Sequence, residues 1–287
     1  MDEPLISAEK LAAHLDDPDW VVADCRFELG RPDWGRAAYA QAHIPGAAYL
    51  HLNEELSGDL RPGTGRHPLP DAQALAARLQ SVGIGSASRV IAYDDAGGAI
   101  AARLWWLLRW LGHAQASLLD GGWAAWCAAG GPCEVAVRPR PERRLNVLVR
   151  DALVAQAGEL LDRERRARVV LVDARAPERF RGEVEPIDPV AGHIPGALNR
   201  FHQGNLAAHG RFLGSGELRA RFAPLVPAGG SSAVVHYCGS GVTACHNVLA
   251  MEYAGLGGTR LYAGSWSEWI RDPARPVAVG GEDADCG

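Results

Sequence analysis

The chain has 287 residues, of which 47% are hydrophobic and 22% charged, a composition typical of a globular protein with one large or two ordinary domains. The formal net charge of -5 and the lack of a basic tract argue against nucleic acid as the main partner. No run approaches the roughly 18 uninterrupted apolar residues of a membrane span. The acidic start lacks the apolar core of a signal peptide, and six cysteines lie scattered without paired spacing, so we expect a cytoplasmic protein with reduced thiols.

Short apolar runs alternate with helix-like stretches from the beginning of the chain. In the first half these segments are LISAEKLAAHL (5–15), VVADC (21–25), RAAYAQAH (36–43), DAQALAARLQSV (71–82), RVIAY (89–93), IAARLWWLLRWL (100–111), SLLD (117–120) and WAAWCAAG (123–130). Such an alternation predicts a mostly parallel sheet with helices on both faces, the α/β class.

The chain then repeats itself, and the repeat predicts its domain organisation. Four matching pairs occur in the same order: VVADCR with VLVDAR, HIPGA with HIPGA, RVIAYDDAGGAIAA with AVVHYCGSGVTACH, and LLDGGWAAW with RLYAGSWSEW. We therefore predict two tandem α/β domains, over residues 1–135 and 149–287. The segment 136–148 between them is rich in proline and arginine, as an exposed linker would be.

The stretch VVHYCGSGVTA, residues 234–244, is the strongest functional signal in the chain. A run of β-formers leads into Cys238, two glycines surround Ser240, and a helix-compatible run begins near Val242. A strand, a tight loop and a helix in this order place the sulfur at the amino end of the helix. Backbone N–H groups of the loop residues can then point at the sulfur and favour its nucleophilic thiolate form; these loop residues are Gly239, Gly241, Val242 and Thr243.

Two other interpretations of Cys238 are open. A lone cysteine is often only a small buried hydrophobic residue, but the flanking glycines and the strand-to-helix position favour a nucleophile. A cysteine-dependent phosphatase would need an arginine six residues after the cysteine to hold phosphate bidentately. That position is Ala244, so the loop suits sulfur chemistry better than phosphate chemistry.

The loop CGSGVTA resembles the active-site loop of the 3-mercaptopyruvate sulfurtransferases, which are relatives of rhodanese, and with the other repeated motifs the resemblance covers nearly the whole chain. It implies two tandem rhodanese-like domains, a persulfide on Cys238 and no metal or organic cofactor. It also implies that the sulfur donor is a small molecule, 3-mercaptopyruvate. The implied acceptor is either cyanide or a thiol, such as thioredoxin or a small thiol. The alternatives are a thiosulfate:cyanide sulfurtransferase and, further away, a non-catalytic rhodanese-like module that binds sulfur.

The same resemblance implies a silent first domain and a proton relay. The repeats align Asp94 with Cys238, and a carboxylate cannot carry a transferable sulfur, so residues 1–135 should be catalytically silent. Family members are thought to use a serine of the cysteine loop, a histidine of the first domain and an upstream acid as a relay. On this chain we match these to Ser240, His43 and Asp33. A structural role in the HIPG turn is the alternative for His43.

Substrate recognition should come from arginine, because a guanidinium can hold a planar α-keto carboxylate bidentately. Arg179 and Arg181 follow the strand that carries Asp173, in the same predicted domain as Cys238. The resemblance places Arg179 on the first carboxylate-binding arginine of the family. The second would fall nine residues later, where this chain has Asp188. Two interpretations are open: Arg181 or Arg200 substitutes for it, or the donor is not 3-mercaptopyruvate.

Overall fold

The computed structural model describes residues 3–281, in which strands and helices alternate along the chain as predicted. Cys286 lies outside the described residues. The strands are β1 (Leu5–Ile6), β2 (Trp20–Asp24), β3 (Ala48–Tyr49), β4 (Arg89–Tyr93), β5 (Ala116–Leu119), β6 (Val170–Asp173), β7 (Ala197–Asn199), β8 (Val234–Tyr237) and β9 (Arg260–Leu261). The helices are α1 (Ala8–Ala12), α2 (Trp34–Gln41), α3 (Ala72–Ser81), α4 (Ala101–Trp110), α5 (Gly122–Ala128), α6 (Ala157–Leu161), α7 (Arg163–Arg166), α8 (Pro177–Phe180), α9 (Ser215–Phe222), α10 (Ala244–Tyr253) and α11 (Ser265–Trp269).

The chain forms two compact units whose boundaries are interleaved along the sequence. The first unit contains the described residues up to Gly58, together with Leu69–Asp151 and Leu206–Leu213. The second contains Asp59–Pro68, Ala152–Asn205 and the described residues from Gly214 onward. The segment Asp59–Pro68 therefore lies in the same unit as Cys238, although its sequence position is within the first repeat.

The first unit is built on a parallel sheet. Over the described residues this sheet has the strand order β1-β5-β4-β2-β3. The longest pairing joins β2 to β4, from Trp20 opposite Arg89 to Asp24 opposite Tyr93. All five residues of β2 are buried, as expected for a strand covered on both faces.

The second unit has the equivalent sheet, with the order β7-β6-β8-β9 among the described strands. Its central pair is β6 and β8, in parallel register from Val170 opposite Val234 to Asp173 opposite Tyr237. This order matches β3-β2-β4-β5 of the first unit, so the repeat seen in the sequence is confirmed as a repeat of the α/β fold. Cys238 follows directly after β8, at the carboxyl end of an inner strand, where ligands bind in parallel sheets.

The core of each unit contains tryptophans from the repeated segments LLDGGWAAW and RLYAGSWSEW, which carry the GGW (121–123) and GSW (264–266) motifs. Trp126 is fully buried in the first unit, and Trp266 and Trp269 are buried in the second. Both repeated segments therefore contribute to the core of their unit. Within residues 3–281, no helix combines the length and the apolar character needed to cross a bilayer.

Candidate active site

Cys238 begins the loop that follows β8. The side chain is buried, with 2% of its surface exposed. The N–H of Gly241 donates a hydrogen bond to the Sγ of Cys238 at 3.2 Å. The helix α10 begins at Ala244, so the sulfur lies on the amino side of that helix.

The GSW turn fixes the backbone of the cysteine loop. The N–H groups of Trp266 and Ser267 donate to the carbonyls of Cys238 and Gly239, at 3.0 and 2.9 Å. The N–H of Cys238 donates to the Oγ of Ser265 at 3.1 Å. Ser265 has a φ of 55°, a left-handed conformation that costs a non-glycine residue roughly 1–2 kcal/mol. The fold tolerates this strain at the residue that holds the N–H of the nucleophile.

Gly241 is required by the shape of the loop. Its φ is 75°, and a Cβ at this position would lie 2.2 Å from the carbonyl oxygen of Ala263. Glycine is therefore the residue that lets the loop turn closely enough for its N–H to reach the sulfur of Cys238.

In the first unit, the loop after β4, which is equivalent to the cysteine loop, binds a carboxylate. Asp94 occupies the position equivalent to Cys238, and its carboxylate accepts four backbone hydrogen bonds of 2.8–2.9 Å. The donors are the N–H groups of Ala96, Gly98, Ile100 and Ala101. Asp94 thus lies at the start of α4, with both carboxylate oxygens satisfied by backbone donors of the protein.

In the second unit, most of the backbone N–H groups equivalent to those that bind Asp94 are available to a ligand. Among the described residues, the N–H groups of Ser240, Val242 and Ala244 have no hydrogen-bond acceptor. They correspond to three of the four donors that hold the carboxylate of Asp94. The loop around Cys238 can therefore accommodate an additional anionic atom, such as the outer sulfur of a persulfide.

The hydroxyl of Ser240 is paired with a histidine that the sequence analysis did not single out. The Nδ1 of His67 lies 2.7 Å from the Oγ of Ser240, and both side chains are buried. His67 belongs to the segment Asp59–Pro68, which the GSW turn anchors through a hydrogen bond of 3.0 Å from the N–H of Arg66 to the Oγ of Ser267. Gly65 permits this contact, because a Cβ there would lie 2.4 Å from the carbonyl oxygen of Gly264.

Of the two residues proposed as relay partners of Ser240, His43 makes contacts within its own turn and Asp33 lies at the surface. The Nδ1 of His43 is 2.8 Å from the carbonyl oxygen of Tyr39, and its ring stacks on Tyr39 at 3.9 Å. His193, in the second HIPG turn, makes the same pair of contacts with Phe180. These parallel contacts support the structural role considered for His43. Asp33 is exposed at the start of α2, and its carboxylate makes no capping bond to the helix.

The arginine of the RFRG pattern lies in a chain of alternating charges. Arg179 donates to Glu185 at 2.6 and 3.2 Å and to Asp188 at 3.3 Å. Asp188 also accepts a hydrogen bond of 2.6 Å from the Nη1 of Arg66. Glu185 is partly buried, which opposes its ionisation, but the hydrogen bond from Arg179 and the N–H groups of Asp188 and Ile187 hold its pKa below the ordinary value.

The other predicted arginines have different surroundings. The side chain of Arg181 is 38% exposed and forms a bidentate pair with Glu183 at 2.7 and 2.8 Å. Arg200 donates to the carbonyl of Gly204 at 3.3 Å, and its guanidinium lies over the ring of Phe222. Neither arrangement joins these arginines to the pair formed by Arg179 and Asp188.

Two other polar groups near the cysteine, His236 and Cys245, are buried. Burial lowers the pKa of His236, on β8, to about 3, so its imidazole is neutral at physiological pH. Cys245 is buried on α10, and its Sγ contacts the carbonyl oxygen of Gly241 at 3.4 Å. Within the described range, no group of three or more histidine, cysteine or acidic side chains is arranged to hold a metal ion.

Comparison with known proteins gives a consistent result. A family model described as a rhodanese-like domain matches residues 7–129 and 156–272. A protein of Pseudomonas aeruginosa named a probable 3-mercaptopyruvate sulfurtransferase is 50% identical, over 96% of this chain and 98% of the relative. A candidate thiosulfate sulfurtransferase of Mycobacterium tuberculosis is 44% identical, over 96% and 97% of the two chains. The solved structure of a 3-mercaptopyruvate sulfurtransferase from Leishmania major superposes with a TM-score of 0.83 at 32% identity, covering 94% of this chain and 76% of that one.

Proposed function

This chain belongs to the rhodanese-like domain family as a two-domain sulfurtransferase, and we propose that it moves sulfur from 3-mercaptopyruvate through a persulfide on Cys238. The observation that carries the proposal is the cysteine loop. The Sγ of Cys238 accepts a hydrogen bond from the N–H of Gly241. Three further N–H groups of the loop have no acceptor among the described residues. A persulfide needs this combination of an activated sulfur and donors for a second sulfur atom.

In the first half-reaction, the thiolate of Cys238 attacks the sulfur of 3-mercaptopyruvate. The new S–S bond forms as the C–S bond breaks, and the electron pair of that bond leaves with pyruvate as its enolate. The enolate then takes a proton at its terminal carbon. We assign delivery of this proton to the hydroxyl of Ser240, with His67 as the group that replaces it, since the two atoms lie 2.7 Å apart.

In the second half-reaction, an acceptor removes the outer sulfur from Cys238. A thiolate, from a small thiol or from a dithiol protein such as thioredoxin, attacks that sulfur and becomes a persulfide, while Cys238 leaves as the thiolate. Cyanide would react in the same way and give thiocyanate. The two half-reactions predict ping-pong kinetics without a metal or organic cofactor.

The charges around the site favour a donor with a single negative charge. Arg66 and Arg179 are balanced by Asp188 and Glu185, so the cluster has no excess positive charge. Its guanidinium groups can still donate hydrogen bonds to a carboxylate. Thiosulfate is a dianion and would require more positive charge than this cluster provides.

Thiosulfate remains the second candidate donor because of one comparison. The Mycobacterium tuberculosis relative is 44% identical to this chain and is named as a thiosulfate sulfurtransferase. The nucleophile and the persulfide would be the same with either donor, so only the anion-binding groups distinguish the two activities.

A side-by-side assay with cyanide as acceptor tests the proposal. Thiocyanate is measured with 3-mercaptopyruvate and with thiosulfate at equal concentrations, and kcat/KM is compared. We expect the larger kcat/KM with 3-mercaptopyruvate. A larger value with thiosulfate would overturn the choice of donor, and no thiocyanate from either donor would overturn sulfur transfer to cyanide. Loading of Cys238 is read in parallel by mass spectrometry.

A further inference from the structure

Arg66 reaches the cysteine loop from a part of the sequence far from the RFRG pattern. Its segment, Asp59–Pro68, belongs to the second unit, and the N–H of Arg66 is fixed on the Oγ of Ser267 at 3.0 Å. The same Ser267 donates its own N–H to the carbonyl of Gly239 at 2.9 Å. One residue of the GSW turn therefore fixes both the loop of Cys238 and the backbone of Arg66.

Asp188 lies between two guanidinium groups and binds both. Its Oδ1 accepts from the Nη1 of Arg66 at 2.6 Å, and its Oδ2 accepts from the Nη2 of Arg179 at 3.3 Å. The carboxylate is almost fully buried, with 3% of its side chain exposed. A carboxylate in this position reduces the repulsion between the two cations and sets the direction of each guanidinium plane.

The two guanidinium groups converge on the residue next to the nucleophile. A Cβ built on Gly239 would lie 3.2 Å from the Nη2 of Arg66 and 3.8 Å from both Nη atoms of Arg179. Gly239 follows Cys238 directly, so both guanidinium groups approach the loop at the residue next to the nucleophile. The missing side chain at Gly239 leaves the space into which these donors point.

Both arginines retain donors that the protein does not use. The Nε of Arg66 is buried without a hydrogen-bond partner. Within residues 3–281, the Nη2 of Arg66 and the Nη1 of Arg179 also have no acceptor, since the recorded bonds of these side chains use their other nitrogens. A buried guanidinium with unpaired N–H groups is costly unless a ligand completes them.

We propose that Arg66 is the second carboxylate-binding arginine of this site and that, with Arg179, it holds the carboxylate of the sulfur donor beside Cys238. Asp188 is then a positioning residue, which holds the two arginines at the correct separation. The inference rests on the proposed function, since it names the groups that bind the donor of that reaction. It also explains how the chain recognises a carboxylate with an aspartate where the resemblance places an arginine.

The surroundings of Arg66 also differ from those of Arg181 and Arg200, the two arginines that the sequence suggested as replacements. The guanidinium of Arg181 is occupied by Glu183 at an exposed site. Arg66 alone among these candidates shares an acid with Arg179, and its guanidinium lies within 3.2 Å of the position that a side chain at Gly239 would occupy.

Alkylation of Cys238 tests the proposal without using the enzymatic reaction. Iodoacetate carries a carboxylate and iodoacetamide does not, although both alkylate a thiolate with loss of iodide. The rate ratio of the two reagents at Cys238, followed by mass spectrometry of its peptide, reports the attraction of the site for a carboxylate. The variants are Arg66→Gln and Arg179→Gln, and the control is Arg221→Gln, an exposed arginine of the same unit that pairs with Glu217.

We expect the iodoacetate-to-iodoacetamide ratio to fall about tenfold or more in Arg66→Gln and in Arg179→Gln, and to stay at the wild-type value in Arg221→Gln. The KM for 3-mercaptopyruvate should rise by a similar factor in the first two variants. The ratio in Arg66→Lys should lie between those of Arg66→Gln and wild type, because lysine keeps the positive charge but lacks the planar guanidinium that binds a carboxylate bidentately. Circular dichroism and the iodoacetamide rate itself show whether each variant keeps the fold and a reactive thiol.

An unchanged ratio in a folded Arg66→Gln variant, together with a lowered ratio in Arg179→Gln, would overturn the assignment of Arg66. That result would leave sulfur transfer untouched. The opposite result has two parts: the wild type transfers no sulfur from 3-mercaptopyruvate, and Arg66→Gln still lowers the iodoacetate-to-iodoacetamide ratio. That result would refute the proposed donor and support the carboxylate-binding role of Arg66. The two failures are therefore distinguishable.

Discussion

The Nδ1 of His67 lies 2.7 Å from the Oγ of Ser240, two residues after the nucleophile. This pair connects the segment Asp59–Pro68 to the cysteine loop within one compact unit. It gives the hydroxyl a partner that can accept or return a proton, which a loop serine in contact with water alone would lack. We therefore assign the relay to His67 and Ser240, and His43 has the structural contacts of a turn residue.

The first prediction concerns the nucleophile. Cys238→Ser should abolish sulfur transfer and keep the fold, because the change replaces one small buried side chain with another. After treatment with the donor, mass spectrometry of the wild type should show one added sulfur on the peptide that contains Cys238. The control is Cys127→Ser, which alters an exposed thiol and should transfer sulfur normally. Added sulfur on another cysteine, or activity in Cys238→Ser, would contradict the mechanism.

The relay is tested by comparing two histidines. His67→Gln should lower kcat by roughly 10²-fold or more, the size of a lost general acid–base contribution. His43→Gln should leave kcat near the wild-type value and lower the free energy of unfolding by about 1–2 kcal/mol, because it removes a buried hydrogen bond and a stacked ring.

The double variant His67→Gln with Ser240→Ala sharpens this comparison. If the two residues act as one relay, the double variant should be only slightly slower than either single variant, since each single change already breaks the path. Fully additive losses would show that Ser240 and His67 act independently. A kcat loss in His43→Gln as large as in His67→Gln would return His43 to the relay.

Gly241→Ala should damage the loop more than its size suggests. The added methyl would lie 2.2 Å from the carbonyl oxygen of Ala263, at a φ of 75° that alanine rarely adopts. We expect a loss of about 2–4 kcal/mol in the free energy of unfolding, or a displaced loop with strongly reduced sulfur transfer. The matched control is Gly216→Ala on α9, where nothing lies within 4 Å of the new Cβ and the helix should gain up to about 1 kcal/mol.

Donor choice should respond to the charge of Asp188. Asp188→Asn keeps the shape of the side chain but removes the negative charge between Arg66 and Arg179. The cluster then has an uncompensated positive charge, so kcat/KM for thiosulfate should rise relative to kcat/KM for 3-mercaptopyruvate. The measurement is the ratio of the two constants in wild type and variant. A ratio that moves toward 3-mercaptopyruvate would show that net charge does not set the preference.

The decrease in the free energy of unfolding at acidic pH should be caused in part by His236. Burial lowers the pKa of this imidazole from its ordinary 6.5 to about 3 in the folded protein. The stability provided by the neutral ring is therefore complete above pH 6.5 and is lost as the pH falls toward 3. Between these limits the free energy of unfolding of wild type should fall faster than that of His236→Leu, by up to about 1.4 kcal/mol per pH unit. Equal slopes would show that His236 is not the group responsible.

The sequence by itself determined the fold and the local shape of the cysteine loop. The four repeated motifs and the alternation of strands and helices indicated two equivalent parallel sheets, and both sheets are present with matching strand orders. The loop from Cys238 to Thr243 could also be interpreted locally, because a strand, two glycines and a helix start define its geometry within a few residues. Gly241 contacts the sulfur of Cys238 as that interpretation requires.

Only the tertiary structure decided which residues complete the site. His67 and Arg66 are 173 and 122 residues away from their partners Ser240 and Asp188, and they lie in a segment without periodicity or a recognisable motif. No local pattern encodes such contacts, because they depend on the packing of the segment Asp59–Pro68 on the GSW turn. That packing depends on Gly65, which approaches the carbonyl of Gly264 more closely than any side chain would allow. The loop of Cys238 can therefore be interpreted from its own residues, whereas the contacts of His67 with Ser240 and of Arg66 with Asp188 depend on the packing of distant segments.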